Sequence, residues 1–263
     1  MCIRDSDNQI VYAKYQRHHT DVRACARDLF EGAATVLPTA QMTCAITGSG
    51  GLLLSQWLDL EFVQEVIASK RAVETLIPAT DVAIELGGED AKILFLQGTL
   101  EVRMNGSCAG GTGAFIDQMA TLLKMGAEEM DKAAQTAEKT YTIAARCGVF
   151  AKSDIQPLIN EGAAREDLAA SIFQAVVNQT ISGLACGKPI RGHVAFLGGP
   201  LHFLSELRQA FVRTLHLTEE TAIVPDNSHL FAATGAAMAA LSGGEDEAVP
   251  MLSLIHISEP TRP

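Results

Sequence analysis

The sequence predicts an α/β protein, because short apolar strands alternate with amphipathic helices through most of the chain. Hydrophobic residues make up 48% of the 263 residues and aromatic residues only 5%, which indicates a core of small and aliphatic side chains. A chain of this length can form one large domain or two modest domains with real cores.

The order of the elements follows from the spacing of apolar residues. Gly235 lies among alanines in the last predicted helix, so we expect this helix to pack closely on a neighbouring backbone. Strands are predicted at 9–15, 42–46, 81–86, 93–96, 140–145, 193–197 and 222–224. Helices are predicted at 20–36, 61–76, from 113, at 126–138, from about 154, at 165–186, from 200 to about 215 and at 228–241.

Charge and cysteine spacing exclude several classes of protein. The net charge is −11 and no stretch is basic, which argues against nucleic acid or an anionic membrane as a partner. The six cysteines are too scattered for a compact disulfide framework or a zinc finger, which indicates a reducing, cytoplasmic location. No apolar run reaches the roughly 20 residues of a membrane span, and the start lacks the apolar core of a signal peptide.

The two ends of the chain do not fit this pattern. Residues 1–6 and 253–263 have no periodicity that continues into their neighbours, and they resemble translated adapter sequence. We expect both ends to be non-native and leave them out of the fold prediction. The chain is then expected to be a piece of a longer protein.

A cysteine followed by a glycine-rich turn is the most distinctive stretch. Cys108 precedes the glycine-rich segment Gly110–Gly113, and a helix begins directly afterwards. The N–H groups and the positive dipole end of such a helix stabilise a thiolate, a phosphate or an anionic metal cluster. A second cysteine, Cys147, lies between Arg146 and Gly148. A lone cysteine is more often structural, but two in such settings favour metal.

The next motif is a predicted β-hairpin with a glycine pair, Gly87 and Gly88, at its turn. These glycines allow backbone N–H groups to wrap a phosphate. Carboxylates beside the turn can hold a magnesium ion, which prefers oxygen ligands; they belong to Glu85, Glu89 and Asp90. An ordinary hairpin with a solvated acidic tip is the alternative.

Taken in order, these motifs resemble the ATP-dependent activators of 2-hydroxyacyl-CoA dehydratases, a family that includes the ATPase subunits of benzoyl-CoA reductase. The resemblance rests on Gly87–Lys92, Cys108–Gly113 and Arg146–Ala151, and it extends from about residue 8 to 241. Segments 146–162 and 171–203 are similar to the activase region of a long multidomain bacterial acyl-CoA dehydratase activase.

The resemblance implies an acetate-kinase, sugar-kinase, Hsp70 and actin type ATPase fold with two ribonuclease-H-like subdomains. These subdomains are expected at 7–80 and 81–242, and each begins with a phosphate hairpin in this fold. The first hairpin, expected just ahead of Asp7, is missing, which predicts an N-terminally truncated chain. We therefore expect the chain to bind ATP weakly.

The resemblance also implies roles for particular residues. The expected catalytic residues, which handle phosphate and Mg2+, are Glu85, Glu89 and Asp90; family members usually have Asp and Gln at the first two positions. Gly198 and Gly199 would lie against the adenosine. The other expected nucleotide-binding residues are Gly87, Gly88, Lys92, Gly110, Gly111, Thr112 and Gly113.

Cys108 and Cys147 are the expected metal ligands. The family uses a homodimer, in which a single 4Fe–4S cluster takes two thiolates from each chain. ATP binding and hydrolysis would then drive a low-potential electron from ferredoxin or flavodoxin onto a 2-hydroxyacyl-CoA dehydratase-like partner. That partner would belong to the same chain or to another one.

Other interpretations are open at this point. A sugar or acyl kinase, or a nucleotide-sensing ATPase of the same fold, would explain the glycine turns without a cluster. Zinc held by Cys108, Cys147 and a histidine is less favoured, since the seven histidines show no ligand spacing. Three further cysteines lie on predicted helix or strand faces and are expected to be structural: Cys25, Cys44 and Cys186.

Overall fold

The computed structural model describes residues 1–18, 20–105, 110–144, 148–241 and 248–255. Its strands are β1 (Cys2–Arg4), β2 (Ile10–Ala13), β3 (Gln41–Met42), β4 (Ala45–Ile46), β5 (Glu61–Phe62), β6 (Val82–Leu86), β7 (Ala91–Phe95), β8 (Glu101–Met104), β9 (Val194–Leu197), β10 (Ala222–Ile223) and β11 (Val249–Pro250). Its helices are α1 (Val22–Val36), α2 (Gly51–Leu58), α3 (Glu65–Leu76), α4 (Gly113–Leu122), α5 (Ala127–Ala134), α6 (Gly148–Asn160), α7 (Arg165–Asn178), α8 (Gly199–Phe203), α9 (Ser205–Leu215) and α10 (Phe231–Ala240). A π-helix at Gln179–Leu184 continues α7.

The described chain forms two compact units. One is Met1–Pro78 together with Leu230–Pro263, and the other is Ala79–His229. The subdomain limits expected from the sequence, 7–80 and 81–242, stay a prediction. None of the helices in the described ranges is long and apolar enough to cross a bilayer.

In the first unit, short strand pairs accompany α1, α2, α3 and α10. β1 pairs antiparallel with β2, β3 antiparallel with β11, and β4 parallel with β5. Phe30 and Ala33 of α1 are buried in one cluster with Leu54 of α2. A Cβ on Gly235 of α10 would lie 1.7 Å from the carbonyl oxygen of Ala68 in α3, which confirms the predicted close packing of the last helix.

Parts of both chain ends belong to this first unit. Cys2–Arg4 forms β1, and Leu254 is buried in the cluster that includes α1. The turn between β1 and β2 spans Asp5–Gln9 and contains no glycine. Non-native ends and a missing first phosphate hairpin stay predictions.

The second unit is built on a five-stranded sheet in the order β10-β9-β6-β7-β8. β6 pairs antiparallel with β7 and parallel with β9. Because side chains alternate between the faces of a sheet, Ile84, Leu86 and Ile93 share one face and lie in a core cluster with α4 and α7. Glu85 and Lys92 stand directly opposite each other on the other face.

Most predicted elements are confirmed, but the strand predicted at 140–145 is wrong for the residues that are described there. The N–H of Tyr141 donates to Ser171 Oγ over 2.7 Å, and the N–H of Ala144 donates to Asp154 Oδ2 over 2.8 Å. Side chains of α7 and α6 therefore satisfy a backbone that would otherwise need a neighbouring strand.

The helix predicted from 200 to about 215 is divided into α8 and α9. Leu204 has φ −102° and ψ 94°, which breaks the helix. The carboxylate of Asp131, on α5, accepts hydrogen bonds from the N–H groups of Ser205 at 3.0 Å and Glu206 at 2.8 Å. A carboxylate from a distant helix thus caps the start of α9. α2, β5, β8 and β11 were not predicted, and the helices predicted at 61–76 and from about 154 begin instead at Glu65 and Gly148.

Candidate functional site

The predicted hairpin is present, and its turn is bound to the start of α4. The N–H of Gly87 donates to the carbonyl of Asp90 over 2.8 Å and closes the turn. Gly113 and Ala114 donate their N–H groups to the carbonyls of Gly87 and Gly88, at 2.9 and 2.7 Å. These two N–H groups at the N-terminus of α4 are therefore already hydrogen-bonded to carbonyl groups of the protein.

Glycines bring three distant turns together at this point. Gly198 has φ +87°, and a Cβ there would lie 2.0 Å from the carbonyl oxygen of Leu86. A Cβ on Gly113 would lie 3.2 Å from the carbonyl oxygen of Gly87 and 3.3 Å from Cγ of Pro200. A side chain at Gly198 would push the backbones apart, and one at Gly113 would require its neighbours to shift by a few tenths of an ångström. Gly87, Gly113 and Gly198, predicted as parts of one site, are thus brought together.

The Gly110–Gly113 loop lies against the π-helix. Gly111 has φ +83°, and a Cβ there would meet Gln179 Cγ at 3.5 Å and Thr180 Oγ1 at 3.6 Å. Gly110 and Thr112 are buried. A π-helix often marks a functional position, yet Gln179 was not predicted as a site residue because nothing in its local sequence signals the contact.

The predicted catalytic carboxylates surround a buried lysine. Lys92 is fully buried, and its Nζ lies 3.1 Å from Glu85 Oε1 and 3.2 Å from Asp90 Oδ2. Glu85 is only 5% exposed, and its Oε2 finds no hydrogen-bond partner among the described residues. Glu89 is exposed at the tip of the turn. The ammonium group of Lys92, predicted to bind nucleotide, therefore lies between two carboxylates.

Two histidines lie beside the turn at Gly198. The N–H of Gly198 donates to the Ser228 carbonyl over 3.1 Å, and Ser228 Oγ is 2.9 Å from His202 Nδ1. The rings of His202 and His229 lie 3.9 Å apart. Burial, helped by the positive charge of His202, lowers the pKa of His229 to about 4. Burial, and then the charge of Arg208, lowers the pKa of His202 as well.

Both predicted metal ligands, Cys108 and Cys147, lie outside the described residues. The helices that follow them, α4 and α6, meet where a Cβ on Gly148 would lie 2.9 Å from Gln118 Oε1. Within the described ranges, no group of three or more His, Cys, Asp or Glu side chains has the arrangement of a metal site. Cys108 and Cys147 lie outside these ranges, so this absence does not concern them.

Two other cysteines lie in positions that are typical of structural residues. Cys25 is buried on α1, and burial raises the pKa of Cys44 to about 11. Cys186 is exposed and has φ +48°.

Several proteins with similar sequences are named as activators of 2-hydroxyacyl-CoA dehydratases. A sequence model of the BadF/BadG/BcrA/BcrD ATPase family matches residues 8–240. The 2-hydroxyisocaproyl-CoA dehydratase activator of Clostridioides difficile is 32% identical over 187 residues, which are 70% of this chain and 68% of that protein. The (R)-2-hydroxyglutaryl-CoA dehydratase activating ATPase of Acidaminococcus fermentans is 32% identical over 124 residues, which are 46% of this chain and 47% of that protein.

A solved structure shares the fold. The activator of the 2-hydroxyisocaproyl-CoA dehydratase from Clostridium difficile, solved with bound ADPNP, matches with a TM-score of 0.77 at 26% identity. The match covers 94% of this chain and 91% of that one. The acetate-kinase, sugar-kinase, Hsp70 and actin type ATPase fold is therefore confirmed. On the strength of the match across residues 8–240, the chain belongs to the BadF/BadG/BcrA/BcrD ATPase family.

Proposed function

We propose that this chain is the ATP-dependent activator of a 2-hydroxyacyl-CoA dehydratase-like partner. It would take a low-potential electron from ferredoxin or flavodoxin and pass it on through a cluster shared by two copies of the chain. The observation that carries the proposal is the convergence of three glycine turns, at Gly87, Gly113 and Gly198, through direct backbone contact. The dehydratase-like partner is inferred from the names of the similar proteins.

The β6–β7 turn is the proposed site for phosphate and Mg2+. Glu85 offers a buried carboxylate oxygen that has no partner among the described residues, and Asp90 is 31% exposed, so the pair fits a magnesium ion. Bound Mg2+ would neutralise phosphate charge. Glu85 and Asp90 would hold the ion directly or through water, and Glu89 at the tip would orient water.

The nucleotide would be positioned by the turns around the hairpin. Gly198 and Gly199 would lie against the adenosine, and the Gly110–Gly113 loop would border the phosphates. ATP can drive a conformational change only if it binds the two conformations with different affinities. The contacts that join these turns would therefore couple ATP binding to the conformational change. Calorimetry with ATP and Mg2+ tests this part of the proposal. We expect weak binding that Gly198→Ala abolishes, and binding left intact in that variant would contradict it.

The cluster would be held by Cys108 and Cys147 of each of two chains. Four thiolates ligate a 4Fe–4S cluster, and a two-fold dimer doubles the two cysteines of one chain. Val149 and Phe150, two and three residues after Cys147, are 70% and 65% exposed, which suits burial against a second copy. When bound, the cluster would carry the single electron.

Iron and acid-labile sulfide per chain, measured on protein purified without oxygen and sized in the same run, test the cluster. We expect about two irons per chain in a dimer. Cys108→Ala and Cys147→Ala should each lose the iron, whereas Cys186→Ala, a matched change at an exposed cysteine, should keep it. A folded dimer without iron would favour the nucleotide-sensing ATPase or the kinase-like protein instead.

A further inference from the structure

The buried lysine of the β6–β7 hairpin has a role that the proposed function does not assign. We propose that Lys92 is a built-in counter-cation, which lowers the affinity of Glu85 and Asp90 for a divalent cation that arrives without nucleotide. The inference rests on the proposed function, because it takes these two carboxylates as the magnesium site. It adds a residue that decides when the ion binds.

The geometry puts the ammonium group where a metal ion would compete with it. Glu85 and Lys92 are paired directly across β6 and β7. Lys92 Nζ lies 3.1 Å from Glu85 Oε1 and 3.2 Å from Asp90 Oδ2, so one cation already bridges both carboxylates. Oε2 of Glu85 is the oxygen of this pair that is buried and has no hydrogen-bond partner among the described residues.

The charge balance sets the size of the effect. Two carboxylates and one ammonium sum to −1, whereas the two carboxylates without the ammonium sum to −2. Lys92 is fully buried and Glu85 is 5% exposed, so solvent screens their interaction weakly, whereas Asp90 is 31% exposed and its interaction is screened more. A divalent ion therefore meets half the negative charge that the carboxylates alone would present. Nucleotide phosphates would supply the missing charge.

Removing the lysine separates this role from a purely structural one. A buried carboxylate that loses its cation destabilises the fold. If Lys92 only supports the fold, its loss lowers stability and added metal changes nothing. If Lys92 is a counter-cation, a divalent ion can replace it, so metal restores the lost stability.

Mn2+ binding without nucleotide tests the proposal, by calorimetry and by the Mn2+-induced shift in Tm. Lys92→Met should bind Mn2+ about tenfold or more tighter than the unaltered chain, and Mn2+ should raise its Tm further. Lys188→Met is the matched control, since Lys188 also pairs with a carboxylate, that of Glu101, but lies outside the hairpin. It should leave Mn2+ affinity unchanged.

Lys92→Gln, which keeps a hydrogen-bond donor toward Glu85, gives a second variant for folding. The proposal is overturned if folded Lys92→Met or Lys92→Gln binds Mn2+ no tighter than the unaltered chain. It is also overturned if both variants stay unfolded at saturating Mn2+. Folding that depends on Mn2+ supports it. ATP binding is measured separately by calorimetry. If the Lys92 variants bind Mn2+ more tightly but neither they nor the unaltered chain bind ATP, only the proposed function is contradicted.

Discussion

Two β-hairpins among the described residues, β1–β2 and β6–β7, differ in what holds their turns. The β1–β2 turn is closed by its own residues. The N–H of Gln9 donates to the Asp5 carboxylate over 2.8 Å, and Arg4 Nε donates to Asn8 Oδ1 over 2.6 Å. These partners lie four residues apart in the sequence, so this turn is a local structure.

The β6–β7 turn depends on residues far along the chain. Gly113 and Ala114 of α4 donate to its carbonyls, and Gly198 allows a close approach to Leu86. A change in one of these distant turns therefore reaches the hairpin directly. The candidate site is therefore assembled by tertiary packing, whereas the β1–β2 turn is held by local contacts.

The largest effect is expected from Gly198→Ala. Its Cβ would lie 2.0 Å from the Leu86 carbonyl oxygen at a residue with φ +87°. Overpacking and a left-handed backbone together should lower the free energy of unfolding by about 3 kcal/mol or more, measured by urea denaturation. Gly162→Ala is the control, because Gly162 has φ +81° and a Cβ added there would meet no atom within 4 Å beyond the adjacent residues. It should cost about 1 kcal/mol, and equal losses would contradict the prediction.

A smaller effect is expected from Glu85→Gln. Lys92 would remain buried with one carboxylate fewer, so we expect a loss of about 2 kcal/mol in the free energy of unfolding. Glu101→Gln breaks the partly exposed pair with Lys188 and should leave stability unchanged within error. Urea denaturation of both variants measures the difference. A harmless Glu85→Gln would show that the buried pair does not stabilise the hairpin.

The histidines beside Gly198 should make stability depend on pH. Burial lowers the pKa of His229 from 6.5 to about 4, so the folded chain resists protonation. Between these values the unfolded chain binds more protons, and stability should therefore fall as the pH drops from about 6.5 to about 4. His229→Asn should make this fall shallower in denaturation series at several pH values. An unchanged slope would exclude His229 as the cause.

The smallest effect is expected in the local β1–β2 turn. Asn8 has φ +61°, a conformation that asparagine tolerates better than alanine. Asn8→Ala should therefore cost about 1 kcal/mol or less, and Asn8→Gly should cost less still. Thermal denaturation measures the change. A loss as large as that of Gly198→Ala would remove the distinction between the two hairpins.

Much of the candidate site could be predicted because its residues occur in short contiguous motifs. Gly87 and Gly88 follow an apolar strand, so the turn was predictable from local sequence alone. Gly235 among alanines predicted a close helix contact for the same reason. Gln179 and Asp131 were missed, since each acts on a segment far from it in the sequence.

The sequence by itself determined where most of the strands and helices form and where the backbone can turn tightly, because apolar spacing and glycine act through neighbouring residues. The tertiary structure alone decided how polar groups are paired. It directs the first amides of α4 to the hairpin carbonyls and places the ammonium of Lys92 between Glu85 and Asp90. The physical reason is that a buried polar group must find a partner, and packing, not sequence spacing, determines which partner is within reach.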